Sequence, residues 1–357
     1  MPFYHEINQS TVEGRRILER LLALREQLDR DIPPRSLTET LLLGTWNIRE
    51  FDSPAYGKRL DESFYYIAEV IARFDLVAVQ EVRQELEALE RLGRILGGHW
   101  NYIVTDVTEG SRGNKERMAF LYDSRKVRFG GLAGELVLPP VELKDAEGKT
   151  VYQPVTQLAR SPFMCGFTAG WTRFVLTTVH VLYGTQTADD PERLEEIRQI
   201  AQFLRTRTLD RSAWARNLVL LGDFNIFKPS DNTMAAITEA GFVVPERIQS
   251  LPSNAIQNKH YDQIAFRVRE DRFGATGRAG VFNYYETVFG EEDESLYAPY
   301  MGEAYHTTSK GKPRQDKSAY YLTYWRTHQM SDHLPMWVEL TIDYSDEYLA
   351  RRLEAAP

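Results

Sequence analysis

The chain has 357 residues, of which 43% are hydrophobic and 26% are charged, so its composition excludes a mainly disordered protein. Its 43 Lys and Arg residues are outnumbered by 51 Asp and Glu residues, which gives a formal net charge of -8. A protein that holds nucleic acid by overall charge carries the opposite sign, so any phosphate-rich ligand must be held locally. Cys165 is the single cysteine, which excludes an intrachain disulfide and a zinc cage built from cysteines.

The sequence gives no sign of membrane insertion or export. No apolar run reaches the roughly 18 to 20 residues that a membrane-spanning helix needs. Residues 1–10 lack the basic start and the apolar stretch of a secretion signal. We therefore expect a cytoplasmic protein.

A helix is predicted at the start of the chain. Ser10 and Glu13 have the spacing of a capping box, and Leu and Ile residues follow at helical intervals as far as Leu28. Pro33 and the proline after it end the helix. Residues 1–36 are therefore expected to form a helical extension. Two interpretations stay open: a helix docked on the main body, or a helix that pairs with a second subunit or a partner.

Short apolar runs from residue 41 onwards predict buried strands. The runs are LLLGTWNI at 41, LVAVQEV at 76, WNYIVTDV at 100, RMAFLYD at 117, FVLTTVHV at 174 and NLVLLGDFNI at 217. Amphipathic helical stretches separate several of them, whereas the strands between residues 117 and 183 follow one another with short turns, which favours antiparallel hairpins. The order predicts an α/β (α+β) protein with stacked mixed sheets flanked by helices.

A single large domain is expected over residues 37–343, followed by a tail over residues 344–357 that forms a surface helix or a frayed end. Residues 269–331 are the least regular part of the chain and are rich in Gly, Tyr and charge. They predict a long insertion or a lid within the domain.

Two basic stretches are candidates for holding a phosphate backbone. The first, inside the insertion, contains Lys312 and Arg314, and the tyrosines after it are candidates for stacking on bases. Its alternative is a solvated loop followed by an ordinary aromatic strand. The second is the charged loop that ends at Arg117, whose alternative is a hairpin tip kept soluble by charge.

Polar side chains able to do chemistry stand where the apolar strands begin or end. They are Asn47, Glu81, His180, Asp223, Asn225, Asp262, Asp332 and His333. Each alone is also explained as a turn, cap or core residue, but carboxylates and amides at a sheet edge are costly without partners or a cation. Together they supply oxygen ligands suited to Mg²⁺ or Mn²⁺ and two histidines for proton transfer. That is the set needed to hydrolyse a phosphate ester.

The same motifs, in this order, resemble the endonuclease/exonuclease/phosphatase superfamily, in particular its deoxyribonuclease I-like and exonuclease III-like members. The matching stretches are TWNI at 45–48, QEVR at 80–83, ARSP at 159–162, TTVH at 177–180, GDFN at 222–225, YDQI at 261–264 and SDHLP at 331–335. The resemblance implies a four-layered sandwich, with two mixed β-sheets packed face to face and helices outside.

The resemblance also implies a metal site and a base. Glu81 is then the principal carboxylate ligand of Mg²⁺ or Mn²⁺, and Asn47 and Asp332 belong to the same metal cluster. His333 is the general base or a phosphate-contacting imidazole. Asp262 accepts the other ring hydrogen of His333 and so fixes its tautomer.

Further roles follow from the same resemblance. Asp223 and Asn225 position the attacking water, stabilise the phosphoryl oxygens and help to protonate the leaving group. His180 faces the phosphate from the opposite side. Arg160 is the phosphate-contacting arginine, and Arg83 matches one that reaches DNA in some members. The alternative for Arg83 is an ordinary ion pair with Glu85 or Glu87.

The resemblance leaves the phosphate ester open. The inositol phosphatase subgroup has a tryptophan shortly before GDxN and a cysteine before its later aspartate, where this chain has Leu220 and Tyr261. We therefore expect a nuclease that hydrolyses DNA or RNA by attack of water. The alternative is an enzyme acting on inositol phosphates, a lipid headgroup or another small ester, and the remote alternative is a non-catalytic binding module.

Overall fold

Two mixed β-sheets lie face to face between layers of helix. The structure is a computed structural model and describes residues 2–53, 57–109, 112–210, 212–268 and 273–355. In chain order the strands are β1 (Thr40–Phe51), β2 (Leu76–Val82), β3 (Trp100–Val104), β4 (Arg117–Asp123), β5 (Val127–Glu135), β6 (Val141–Lys144), β7 (Thr150–Gln153), β8 (Phe163–Ala169), β9 (Thr172–His180), β10 (Leu218–Asp223), β11 (Asp262–Arg267), β12 (Gly274–Val281) and β13 (Met336–Thr341).

The helices cover the outer faces of the sheets and the chain ends. They are α1 (Val12–Asp31), α2 (Asp61–Ala72), α3 (Glu87–Leu96), α4 (Pro191–Leu209), α5 (Asn232–Glu239), α6 (Glu246–Gln249), α7 (Glu294–Met301), α8 (Glu303–His306), α9 (Lys317–Tyr320), α10 (Arg326–Gln329) and α11 (Ser345–Glu354). A π-helical turn, Tyr321–Trp325, joins α9 to α10. None of the described helices is long and apolar enough to cross a membrane.

The first sheet has the strand order β12-β13-β1-β2-β4-β3, and the second has the order β11-β10-β9-β8-β5. Among the described strands two pairs are parallel: β1 with β2, joined through α2, and β9 with β10, joined through α4. The strands between residues 117 and 183 pair antiparallel, as the short turns predicted. The prediction of mixed, stacked sheets with helices outside is confirmed.

Successive side chains of β1 point to opposite faces of the first sheet, and both faces are buried. Leu41 and Leu43 point into the core between the sheets, where they join Phe174 and Leu220 of the second sheet. Leu42, between them, faces the opposite way, into the layer of helices. A strand covered on both faces reads as a continuous apolar run, which is why LLLGTWNI carries no polar alternation.

Helix α1 docks on the outer face of the first sheet, which was one of the two interpretations that the sequence left open. Leu21, Leu24 and Leu28 are buried in the same apolar cluster as residues of α2. Arg16 pairs with the buried Glu62 at 2.8 Å. The predicted capping box at Ser10 is wrong by one residue. The N-cap is Thr11, whose side chain accepts a hydrogen bond from the Gly14 backbone N–H at 3.0 Å.

Most of the predicted insertion packs against the same outer layer. Its first four residues lie outside the described part, and β12 then forms an edge strand of the first sheet. Its aromatic side chains, including Tyr284, Phe289 and Trp325, belong to the outer apolar core. The alternative of an aromatic strand after the basic stretch is wrong, because residues 317–329 are helical. Helical spacing buries Tyr321 and Trp325 together and leaves Tyr324, between them, at the surface.

Candidate active site

Strand register brings three of the predicted residues into one row at the edge of the second sheet. Asp223, the last residue of β10, pairs with His180 on β9 and with Asp262 on β11. All three side chains are at least 90% buried. The row places two carboxylates and an imidazole side by side at the ends of neighbouring strands, where α/β proteins place ligand sites.

The first sheet contributes Asn47 and Glu81 at the same edge, because β1 and β2 run parallel and end together. The Asn47 side-chain amide donates to Glu81 Oε1 at 2.9 Å and to Asp223 Oδ2 at 3.0 Å. Asn47 therefore connects the acidic groups of the two sheets. Glu81 has a φ of 60°. Its Oε2 accepts the Glu50 backbone N–H at 2.8 Å, which fixes the carboxylate at the strand end.

His333 lies just before β13 and reaches across to the second sheet. Its Nδ1 is 2.8 Å from Asp262 Oδ2, and its Nε2 is 3.7 Å from Asp223 Oδ2. The Ser253 hydroxyl donates to the same oxygen of Asp262 at 2.7 Å. Burial lowers the pKa of His333, but the charges of Asp262 and Asp223 outweigh it and raise that pKa well above its usual value.

A second histidine–carboxylate pair approaches Asp223 from the other side. His180 Nδ1 lies 2.9 Å from Glu116 Oε2, and His180 Nε2 lies 3.6 Å from Asp223 Oδ2. Glu116 also binds Arg160, whose Nε donates to it at 2.7 Å. Burial raises the pKa of Glu116, yet His180 and Arg160 together lower it to about 2. The carboxylate therefore stays ionised between Arg160 and His180.

The residues fit a hard divalent cation. Asn47 Oδ1 and Asp262 Oδ1 are buried and have no hydrogen-bond partner among the described residues. Ligand atoms of Asp223, Asp262 and His333 lie within 4.8 Å of one another. Burial raises the pKa of Glu81, and the nearby charge of Asp332 adds to that effect. Clustered carboxylate and amide oxygens without thiolates are the donors that Mg²⁺ and Mn²⁺ prefer.

Asn225 and Arg83 lie close to the cluster but have partners of their own. The Asn225 backbone N–H donates to Asp223 Oδ1 at 2.9 Å, and its side-chain amide donates to the Val181 carbonyl at 2.9 Å. Arg83 Nη1 pairs with Glu50 Oε2 at 3.1 Å. That partner is not one of the glutamates following Arg83 in sequence, because β2 brings Arg83 beside the end of β1.

The other predicted basic residues have no contact, among the described residues, with the cluster formed by Asn47, Glu81, His180, Asp223, Asp262 and His333. Arg117 donates to the Thr105 carbonyl at 2.7 Å. Arg314 donates to the Ala304 carbonyl at 2.9 Å and lies over the Tyr320 ring, 4.0 Å from its centroid. Lys312 is in an exposed turn. Their predicted phosphate contacts stay predictions.

Sequence reasoning missed several residues that position the site. Glu116 stands in a charged loop and looks like a surface residue, and only the fold shows that it is buried beside His180. Ser331 belongs to a recognised motif, and its hydroxyl donates to the Asn47 carbonyl at 2.6 Å and accepts the His333 backbone N–H at 3.0 Å. Ser253 stands in an irregular segment, where no periodic pattern marks it.

Comparison with known proteins agrees with this geometry. The model of the Endonuclease/Exonuclease/phosphatase family matches residues 44–236, more than half of the chain. The chain therefore belongs to the Endonuclease/Exonuclease/phosphatase family. Enzymes of this family are hydrolases that act on phosphate esters and typically depend on a divalent metal.

Individual proteins are similar to this chain as well. A deoxyribonuclease of Thioalkalivibrio sp. (strain K90mix) is 28% identical over 214 residues, which are 58% of this chain and 52% of that protein. The match thus spans about half the length of that relative. A functionally unknown conserved protein of Enterococcus faecalis V583 has a TM-score of 0.52 at 15% identity, over 84% of this chain and 99% of that one. The structure of D. rerio TDP2 complexed with single-strand DNA product has a TM-score of 0.50 at 14% identity, over 84% of this chain and 98% of that one. These two structures show the fold alone.

Proposed function

We propose that the protein is a Mg²⁺- or Mn²⁺-dependent nuclease that acts by in-line attack of water. DNA is the proposed substrate, and RNA is the second candidate. The observation that carries this proposal is the position of Asp223 between two imidazoles, each held by its own carboxylate. His333 is held by Asp262 and His180 by Glu116, and both Nε2 atoms lie within 3.7 Å of Asp223 Oδ2. A displacement at phosphorus needs a base for the incoming water and proton donors around the phosphoryl and leaving oxygens.

The two histidines and the carboxylates beside them each have a role in this proposed chemistry. Asp262 fixes the tautomer of His333 and leaves Nε2 to take a proton from water or to contact the phosphate. Asp223 lies where it can orient the water between the imidazoles. His180 presents its Nε2 from the opposite side, since Glu116 holds its other nitrogen.

The metal site in this proposal is formed by Glu81, Asn47 and Asp332. A cation bound there would neutralise negative charge that develops on the phosphoryl group. The orphaned Asn47 Oδ1 and the raised pKa of Glu81 both support a cation at this position. An uncompensated acidic cluster at a buried sheet edge is otherwise costly.

The preference for nucleic acid is supported by the relative named deoxyribonuclease. The formal charge of -8 indicates that a nucleic acid would be gripped locally, by residues such as Arg160 and Arg83, and not by the whole surface. Arg160 is buried against Glu116 and has only 7% of its surface exposed. Its phosphate contact would therefore be made inside the site.

The test is a nicking and exonuclease assay on supercoiled plasmid, short duplexes and single strands, each with EDTA, Mg²⁺ or Mn²⁺. We expect cleavage with metal, none with EDTA, and none by the Glu81→Ala, His333→Ala double variant. Circular dichroism of the double variant checks that its fold is retained. Phosphate release from inositol phosphates without any cleavage of nucleic acid would replace this proposal with the small-ester alternative.

A further inference from the structure

Three aromatic residues lie within a few positions of the catalytic groups, at the same strand ends. Tyr183 follows His180 by three positions, Phe227 follows Asn225 by two, and Tyr261 directly precedes Asp262. Because these segments converge at one edge of the second sheet, their rings meet beside the catalytic cluster. We call these three side chains the aromatic wall.

The aromatic wall begins in contact with His333. The Tyr261 ring centroid lies 5.3 Å from the His333 centroid, with 33° between the ring planes. Tyr183 packs on Tyr261 at 6.3 Å and 74°, an edge-to-face arrangement, and on Phe227 at 5.9 Å. The wall thus runs continuously from the imidazole outwards to Tyr183.

The base of the aromatic wall is fixed, whereas its outer end is open. Phe227 is 3% exposed, and the buried Arg193 guanidinium lies 4.6 Å from its ring centroid. Arg193 also donates to the Tyr183 carbonyl, so the backbone of the outer tyrosine is held as well. Tyr183 nevertheless remains 39% exposed. A rigid ring with an open surface binds a flat ligand with little loss of conformational freedom.

A cation stands beside the wall. Lys259 Nζ lies 3.6 Å from the Phe227 ring centroid. A flat aromatic ligand stacked on Tyr183 that carries a phosphate would therefore meet a ring, an ammonium group and the catalytic histidine within one surface. Ring stacking combined with nearby positive charge is the arrangement that single-stranded nucleic acids require, since each nucleotide offers one base face and one phosphate.

From this arrangement we propose that Tyr183, supported by Phe227 and Tyr261, is a stacking subsite for an unpaired nucleobase next to the phosphate that is cleaved. The inference rests on the proposed function and deepens it. A paired base in a duplex already stacks on both faces, so an open tyrosine face is useful only to a base that is single-stranded, frayed or terminal. The substrate class is then single-stranded nucleic acid or strand ends.

The test is a double-mutant cycle in which the Tyr183 ring and the nucleobase of the substrate are removed separately and together. Cleavage of a labelled single-stranded oligonucleotide is compared with cleavage of oligonucleotides carrying one abasic tetrahydrofuran unit at successive positions around the cut. We expect Tyr183→Ala to lower kcat/KM on the intact strand about tenfold, as is typical of losing one base–aromatic stack. Removing the base at one position gives a similar loss, and the two losses do not add. Tyr183→Phe, which restores a ring, recovers the rate to within about twofold.

A second readout does not depend on turnover. Binding of the same fluorescein-labelled strand in EDTA, followed by anisotropy, is expected to weaken about tenfold in Tyr183→Ala. Tyr300 is the matched control, because it is 42% exposed and is not part of the aromatic wall. Tyr300→Ala is expected to bind and cleave as the wild type does.

The outcomes separate the subsite from the proposed function. Metal-dependent cleavage in which Tyr183→Ala and base removal act additively, or in which Tyr183→Ala has no effect, overturns the stacking subsite and leaves the nuclease intact. A wild type that cleaves no nucleic acid with any metal overturns the proposed function. If, in addition, Tyr183→Ala binds single strands in EDTA as tightly as the wild type does, the subsite is overturned as well.

Discussion

His333 and Asp262 belong to different sheets, yet Nδ1 of the imidazole lies 2.8 Å from Oδ2 of the carboxylate. The contact closes the edge of the sandwich, because His333 enters β13 of the first sheet and Asp262 opens β11 of the second. Packing of the two sheets therefore sets the position of the candidate base. Small changes at the edge of either sheet would move it relative to Asp223.

The first prediction concerns this contact. Asp262→Asn keeps the size of the side chain but presents an amide where His333 needs an acceptor, so the imidazole adopts the wrong tautomer. We expect kcat on a labelled oligonucleotide to fall on the order of a thousandfold. Circular dichroism and thermal unfolding of the variant verify that the fold is kept. Activity within tenfold of the wild type would remove Asp262 from its assigned role.

The second prediction concerns Glu116, which pairs with Arg160 and His180. Glu116→Gln leaves the buried Arg160 guanidinium without its carboxylate and removes the negative charge beside His180. Breaking a buried ion pair costs about 3 to 5 kcal/mol of unfolding free energy. Urea unfolding measures the loss, and we expect activity to fall with it at temperatures where the variant is folded. Glu192→Gln is the control, because its ion pair with Arg112 is exposed and is worth less than about 1 kcal/mol. Equal losses of unfolding free energy in the two variants would contradict the role of Glu116 as a buried partner that holds Arg160 and His180 in place.

The third prediction concerns the Ser331 hydroxyl. It joins the segments of Asn47 and His333, so Ser331→Ala leaves buried backbone groups without partners and lets the segments shift. We expect a loss of about 1 to 3 kcal/mol in stability. Misplacement by about 1 Å lowers kcat up to a hundredfold, with KM little changed. Ser318→Ala, at an exposed position, is the control. A KM effect without a kcat effect would show that Ser331 does not position the reacting groups.

The fourth prediction is a pH dependence of stability. Burial raises the pKa of Glu196 from 4.5 to about 7, although Arg160 opposes that rise. The folded state thus holds a proton that the unfolded state releases near pH 4.5. The contribution of Glu196 to stability is therefore fully present below about pH 4.5 and is lost as the pH rises towards 7, by about 3 kcal/mol.

Glu196→Gln tests this linkage, because it removes the titrating group and keeps the shape. Urea unfolding between pH 5 and pH 8 should show a smaller decline in the variant than in the wild type. Parallel pH profiles for the two proteins would assign the decline to other groups.

Strand ends are the part of the site that sequence reasoning could reach. Asn47, Glu81, Asp223, Asp262 and His333 each stand where an apolar run begins or ends, and the structure brings them together. Apolar runs determine the strands, and sheets packed face to face bring their ends to one edge.

Other features depend on tertiary contacts that no local pattern encodes. Glu116 and Lys312 both stand in charged segments, yet one is 4% exposed and the other lies in an exposed turn. Tyr and Trp favour strands, which suits the alternative of an aromatic strand in the insertion, whereas burial against the outer helices selects a helix there. Propensity is overridden there by packing.

The central claim is that Glu81 and its neighbours bind a divalent ion on which phosphodiester hydrolysis depends. Mn²⁺ binding, followed by electron paramagnetic resonance, is compared with the Mn²⁺ concentration that gives half-maximal cleavage of a labelled oligonucleotide, in the wild type and in Glu81→Gln. We expect the two concentrations to agree in the wild type and to rise together, about tenfold or more, in the variant. Cleavage that persists in EDTA, or Mn²⁺ binding that Glu81→Gln leaves unchanged, would contradict the claim.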